Sequence, residues 1–234
     1  MEWVIALLAL TAMEIVLGID NIVFITIVSS KLPKEQQPKA RMIGLSLALI
    51  VRVIMLMGIS WLIGLTDPLF SLFGIDFSGR NLILLAGGLF LLAKSTTEIH
   101  AKVNQLEHEL KPTKARDAFA SIIFQIVLLD IVFSFDSILT AIGMSNDLLV
   151  MVVAVVIAMI IMMIFAGRIS AFINDHPTLQ ILALSFLILI GFMLIVEGLP
   201  LQEIHVPKGY IYFAVFFSLT VEALNMRMRR KKKG

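Results

Sequence analysis

There is no cysteine in these 234 residues. Disulfides, thiolate metal ligands and thiol redox chemistry are thereby excluded, leaving carboxylates, amides, hydroxyls and four histidines as the available chemistry. Charge is scarce as well, at 15% of residues, and no stretch is long or polar enough to form a separate water-soluble domain. The first apolar run, 3–28, lacks the charged leading segment and short apolar core of a cleaved signal peptide. It also carries Glu14 and Asp20, so it reads as a permanent helix.

What is abundant is apolar surface. With 59% hydrophobic residues and a mean hydropathy of +0.98, most of the chain has lipid as its solvent. A hydrocarbon core of about 30 Å takes roughly 20 helical residues to cross. Seven stretches meet that length: 3–28, 42–65, 81–97, 118–141, 147–167, 179–199 and 209–226. The expectation is a single all-α, polytopic membrane domain over 1–234 with seven transmembrane helices and no enzymatic chemistry.

Basic loops resist translocation, so Lys and Arg positions set the orientation. With the N-terminus outside, fifteen of the nineteen basic residues fall in cytoplasmic segments, among them Lys31, Lys34, Lys39 and Arg41, then Lys102, Lys111, Lys114 and Arg116, then Arg168 and the tail from Arg227. Only Arg80 and Lys208 fall outside, and Arg52 and Lys94 fall within spans. An N-out, C-in protein of a plasma membrane follows.

One pattern occurs twice. Residues 14–22 read Glu-Ile-Val-Leu-Gly-Ile-Asp-Asn-Ile, and residues 130–138 read Asp-Ile-Val-Phe-Ser-Phe-Asp-Ser-Ile. In each, a carboxylate is followed six residues later by an Asp and a small amide or hydroxyl residue. Gly88-Leu89-Phe90-Leu91-Leu92-Ala93-Lys94 has a looser counterpart in Gly191-Phe192-Met193-Leu194-Ile195-Val196-Glu197. The expected organisation is repeat one over about 1–97, a cytoplasmic linker 98–117, repeat two over about 118–199, and an additional helix 209–226. Three spans per copy is an odd number, so the copies enter the membrane from opposite sides, as in many secondary transporters.

Counting at 1.5 Å per residue puts Glu14 and Asp130 near the midplane, with Asp20 about 9 Å nearer the cytoplasm and Asp136 about 9 Å nearer the outside. On a straight helix Glu14, Gly18 and Asn21 share a stripe, as do Asp130, Ser134 and Ser137, whereas Asp20 and Asp136 point about 120° away. Loosening at Gly18 and Ser134 would turn both inward, since unwound backbone is tolerated where it lines a cavity. Arg52 is the candidate counter-charge at the midplane, and Gln125 is a candidate for the path. Glu14, Asp20, Asn21, Asp130, Asp136 and Ser137 make an all-oxygen ligand set suited to hard divalent cations. The bland alternative is that these groups bridge helices by hydrogen bonding. Against it, a charged group at this depth costs about 2.5 to 3.5 kcal/mol on insertion scales, and the pair is duplicated. Buried carboxylates without a cation favour the protonated form, so proton uptake on metal release is a natural coupling.

Other charged groups read more plainly. Lys94 and Glu197 lie at opposite ends of the membrane, so they do not pair; Lys94 is expected to snorkel and Glu197 to reach the headgroups. Glu98, His100 and His108 in the linker lack a tight ligand spacing. The basic tail is expected to rest on anionic lipid rather than nucleic acid. Met151, Met159, Met162 and Met163 read as packing.

The motifs at 14–21 and 130–137, with Gly88–Leu92 and the stretch 205–212, resemble the paired signatures of the TerC family of bacterial integral membrane proteins. The chain is most similar to short members lacking the CBS and transporter-associated modules of longer relatives. The resemblance implies a seven-helix bundle in the bacterial inner membrane and, for several members, export of manganese or a related divalent cation. It implies no resident cofactor. An oxyanion such as tellurite is a poor match to a path lined by four carboxylates. The leading expectation is a secondary transporter exporting a divalent cation, Mn²⁺ first, in exchange for protons. The alternative is a non-transporting membrane partner that delivers metal to, or stabilises, a membrane or secretion complex; a homo-oligomer is left open. An intramembrane aspartyl protease is excluded, because Asp20 and Asp136 are separated by about 18 Å in depth.

Overall fold

Backbone amides in lipid must be satisfied within their own segment, so apolar runs of this length become helices. The computed structural model describes residues 2–72, 75–104, 115–144, 147–200 and 208–231. In chain order the elements are α1 (Glu2–Ser29), α2 (Gln37–Met57), α3 (Ile59–Gly64), β1 (Pro68–Leu72), β2 (Ile75–Ser78), α4 (Gly79–Val103), α5 (Ala115–Met144), α6 (Leu148–Asn174), α7 (Pro177–Gly198) and α8 (Lys208–Lys231). Among the described residues six helices are long and apolar enough to cross a membrane: Trp3–Ser29, Gln37–Met57, Gly79–Val103, Ala118–Ile142, Leu148–Asn174 and Pro177–Gly198.

These coincide with the first six expected spans, but α4 and α6 run on beyond 97 and 167 to Val103 and Asn174, and the second span is shifted. The longer α4 puts Glu98 and His100 on that helix and outside the expected linker. The second span starts earlier than expected, at Gln37, and stops at Met57, where the Gly58 amide closes the last turn on the Ile54 carbonyl at 2.9 Å. The short α3 and an antiparallel β1–β2 hairpin follow, with Phe70 stacked on Phe77 at 5.4 Å between ring centroids. The hairpin is a small β addition in a connection the sequence left unassigned. The seventh expected span falls on α8, which is helical but is not among the six. It docks on α7, where Thr178 Oγ1 donates to Glu222 Oε1 at 2.6 Å.

Two bodies of packing make up the bundle. Helices α1, α2, α5 and α6 form a four-helix core in which α1 lies along α6 and α2 along α5 and α6, while α4 and α7 pack on each other over the most extensive helix interface among the described residues. The core interior is filled by residues such as Phe24, Val28, Leu45, Ile126, Leu129, Phe135 and Met159. Large apolar residues also line the outside, among them Leu8, Ile54, Phe124, Ile164 and Phe192. On a water-soluble monomer such a surface would associate; on helices of this length it faces acyl chains.

Glycines set the closest approaches. Gly88 and Gly191, equivalent in the repeat pattern, meet at the α4–α7 crossing, where a β-carbon on Gly88 would lie 2.6 Å from the Gly191 carbonyl oxygen. Gly18 admits the thioether of Met162 from α6. The methionines expected to be packing behave as such: Met151, Met159 and Met162 are buried in the core and Met163 packs against it.

Candidate functional site

Helices α1, α2 and α5 converge on one guanidinium. Arg52, about four turns into α2, places Nη1 2.5 Å from Glu14 Oε2 of α1 and Nη2 2.7 Å from Asp130 Oδ1 of α5. Its Nε adds bonds of 3.1 and 3.2 Å to the two Asp130 oxygens, so the guanidinium grips Asp130 with two nitrogens and Glu14 with the third. Two further donors reach Asp130: Asn21 Nδ2 at 3.0 Å and Ser134 Oγ at 3.1 Å. Ser137 Oγ donates to the Ser134 carbonyl at 3.2 Å and lies beside the Glu14 carboxylate.

Burial decides how to read this network. Glu14, Arg52 and Asp130 are 2%, 3% and 5% exposed, so each charge depends on the others for its compensation. Two carboxylates against one guanidinium leave a formal excess of one negative charge, offset by the Asn21, Ser134 and Ser137 donors. Polar side-chain oxygens surround the guanidinium, and a cation entering between Glu14 and Asp130 would find hard ligands there once Arg52 withdrew.

Of the residues singled out from sequence, Glu14, Asn21, Arg52, Asp130 and Ser137 come together. Asp20 and Asp136 belong to α1 and α5, but their side chains lie outside what the structure describes. Among the described residues no three His, Cys, Asp or Glu side chains converge on one point. Gln125 stands apart from the cluster and donates to the carbonyl and hydroxyl oxygens of Ser121 at 3.2 and 3.1 Å.

Three expectations are corrected. Neither α1 nor α5 loosens: both run unbroken through Gly18 and Ser134. The physical reason is that these small residues serve contacts instead, Gly18 by admitting Met162 and Ser134 by donating to Asp130 one turn earlier. Lys94 does not simply snorkel, because its Nζ lies 3.0 Å from Glu98 of the next turn. Glu197 does not stand alone at the headgroups, since Arg80 is 3.9 Å away; the expectation that Lys94 and Glu197 do not pair holds. Sequence reasoning also missed Lys31, whose Nζ sits 2.5 Å from the buried Glu98 carboxylate. A buried acid near a helix end with lysines four residues before it and just past another helix was the available signal. Of the linker trio, His108 lies outside the described residues, and His100 lies beside Asn104 rather than Glu98.

A bundle of membrane-length helices with a charged network closed at its centre defines the class: a polytopic integral membrane protein whose interior is built around ionisable groups. The profile described as "Integral membrane protein TerC family" matches residues 1–233, and the chain belongs to that family. A UPF0053 protein of Haemophilus influenzae is 49% identical over 238 residues, covering 99% of each chain. The UPF0053 inner membrane protein YgdQ of Escherichia coli is 51% identical over 227 residues, 97% of this chain and 93% of that protein. The UPF0053 inner membrane protein YoaE of the same species is 50% identical over 224 residues, and there the match spans 96% of this chain but 43% of the relative. No solved structure matches the chain.

Proposed function

We propose that this protein is a secondary transporter of a divalent cation in the bacterial inner membrane, that Mn²⁺ is the cation, and that it leaves the cytoplasm in exchange for protons. The observation that carries this reading is the Glu14–Arg52–Asp130 network, in which acids from matching positions of the two motif copies share one internal cation. Arg52 holds the pair while no external cation is present. An arriving divalent ion brings two positive charges against the single one of the guanidinium, so it can displace Arg52 from Glu14 and Asp130. Asp20 and Asp136, with Asn21 and Ser137, complete the ligand set from either side. Protons replace the metal when it departs. Seven spans arranged as two inverted halves plus α8, with N-terminus out and C-terminus in, form the scaffold. Support for the inversion comes from Gly88 meeting Gly191, and from the α1–α6 packing recurring as α5–α2 when the halves are exchanged. The basic end of α8 rests on anionic lipid.

A crystal soaked in Mn²⁺ and measured at the manganese edge tests the site. Anomalous density between α1 and α5 supports it, and density confined to the 98–117 linker overturns it.

A second reading has its own observation. Among the described residues Arg52 bonds Glu14 and Asp130, as a permanent staple between α1, α2 and α5 would, and a membrane partner protein without flux could use such a staple. A stable complex with another membrane protein, together with no cation flux by the purified chain, favours it.

A further inference from the structure

At the end of the bundle where α1 finishes and α2 begins, a second buried acid is held by two ammonium groups. Glu98 of α4 has Lys94 Nζ at 3.0 Å and Lys31 Nζ at 2.5 Å. Lys94 is a turn away on the same helix and ties nothing together. Lys31 follows the last turn of α1, and among the described residues α1 and α4 do not pack along each other. The Lys31–Glu98 bond therefore ties α1 to α4 directly, at the end of the bundle, in addition to the packing of α1 and α6 on α7 and of α4 on α5. The Lys31 side chain is 41% exposed and that of Glu98 5%, so water has access to one partner only.

An independent observation lies behind this bond. Four buried side-chain polar atoms have no protein hydrogen-bond partner among the described residues: Thr11 Oγ1, Ser95 Oγ, Gln125 Oε1 and Ser170 Oγ. Ser95, Gln125 and Ser170 lie on the parts of α4, α5 and α6 toward this same end, Gln125 being five residues short of Asp130 along α5. A buried polar atom left unpaired is costly, and native interiors hold few of them. Such atoms at one end of a bundle suit a route that water enters in another conformation, because hydration then removes the penalty.

We propose that the Lys31–Glu98 pair is a latch that closes a water-accessible route from this face to the Glu14–Arg52–Asp130 cluster, with Gln125 on the route. Glu98 is a positioning residue: it binds no cargo but holds the α4–α7 pair against the core. Calling this face the cytoplasmic one, and the route that of the exported cation, rests on the transport reading above.

The absence of cysteine makes the test clean, since a single introduced thiol has no background. Gln125→Cys protein in inverted membrane vesicles is exposed to a charged, membrane-impermeant thiosulfonate, and the rate of modification is measured. Modification is expected to be slow in that parent and roughly tenfold faster when Lys31→Gln or Glu98→Gln is added, the factor that about 1.4 kcal/mol of lost closure represents. Lys31→Gln changes an exposed side chain, so it guards against a folding defect in Glu98→Gln. Lys94→Gln breaks only the bond within α4 and is expected to leave the parent rate unchanged. Equal rates in the parent and in Lys31→Gln would overturn the latch, as would an equal acceleration by Lys94→Gln. Labelling requires no flux, so this result stands or falls separately from any measurement of transport.

Discussion

Gly88 and Gly191 approach so closely that a β-carbon on either would meet the other's carbonyl oxygen, at 2.6 and 3.0 Å. The contact is backbone against backbone, so neither helix can yield without shifting as a whole. Gly88→Ala should lower stability by about 1–3 kcal/mol, the usual cost of overpacking. Gly18 offers the contrast. The three nearest atoms a β-carbon there would meet all belong to Met162, with Sδ and Cε, the far end of a flexible side chain, closest. Gly18→Ala should therefore cost less than about 1 kcal/mol as the thioether moves aside. Thermal unfolding of the two variants in the same detergent checks the order; equal losses would refute the distinction.

Arg52 is predicted to matter more for fold stability than any single acid it binds. Arg52→Gln leaves Glu14 and Asp130 facing each other without compensation, and removing one partner of a buried ion pair costs about 3–5 kcal/mol. The triple variant Glu14→Gln, Arg52→Gln, Asp130→Asn removes all three charges and should recover most of that loss. Arg52→Lys should recover only part, because a single ammonium cannot reproduce the two-nitrogen grip on Asp130. Unfolding midpoints across the series measure the coupling.

The start of α4 carries a capping box. Asn81 N donates to Ser78 Oγ at 3.2 Å while Ser78 N donates to Asn81 Oδ1 at 2.9 Å, and the Arg80 amide bonds the Leu65 carbonyl at 2.9 Å. Ser78→Ala should cost about 0.5–2 kcal/mol. Hydrogen exchange should localise the loss to the first turn of α4 and the adjoining hairpin. Loss spread evenly over the bundle would contradict a local cap.

Much of this arrangement was legible in the residues because lipid narrows the choices. An apolar run near 20 residues has one way to satisfy its backbone, so six spans could be placed by length alone. The duplicated motif marked Glu14 and Asp130, and a depth count selected Arg52 as the only basic group near them. Depth does not say how far a side chain reaches, so the sharing of Arg52 between both acids needed coordinates. Gly18 and Ser134 misled because a small residue next to a buried acid has two uses, loosening the helix or admitting a neighbour, and composition is the same for both. The Lys31–Glu98 bond was hidden for a different reason. It joins residues 67 positions apart in the chain at the ends of two helices, where periodicity carries no information on who faces whom.

Flux through the purified protein tests the central claim most directly. Liposomes containing the wild-type chain should accumulate radiolabelled Mn²⁺ when a proton gradient is imposed, and Asp130→Asn, Asp20→Asn and Asp136→Asn should each slow that accumulation at least about tenfold, a loss of about 1.4 kcal/mol at the site. Accumulation by the three variants as fast as by the wild type would contradict the account.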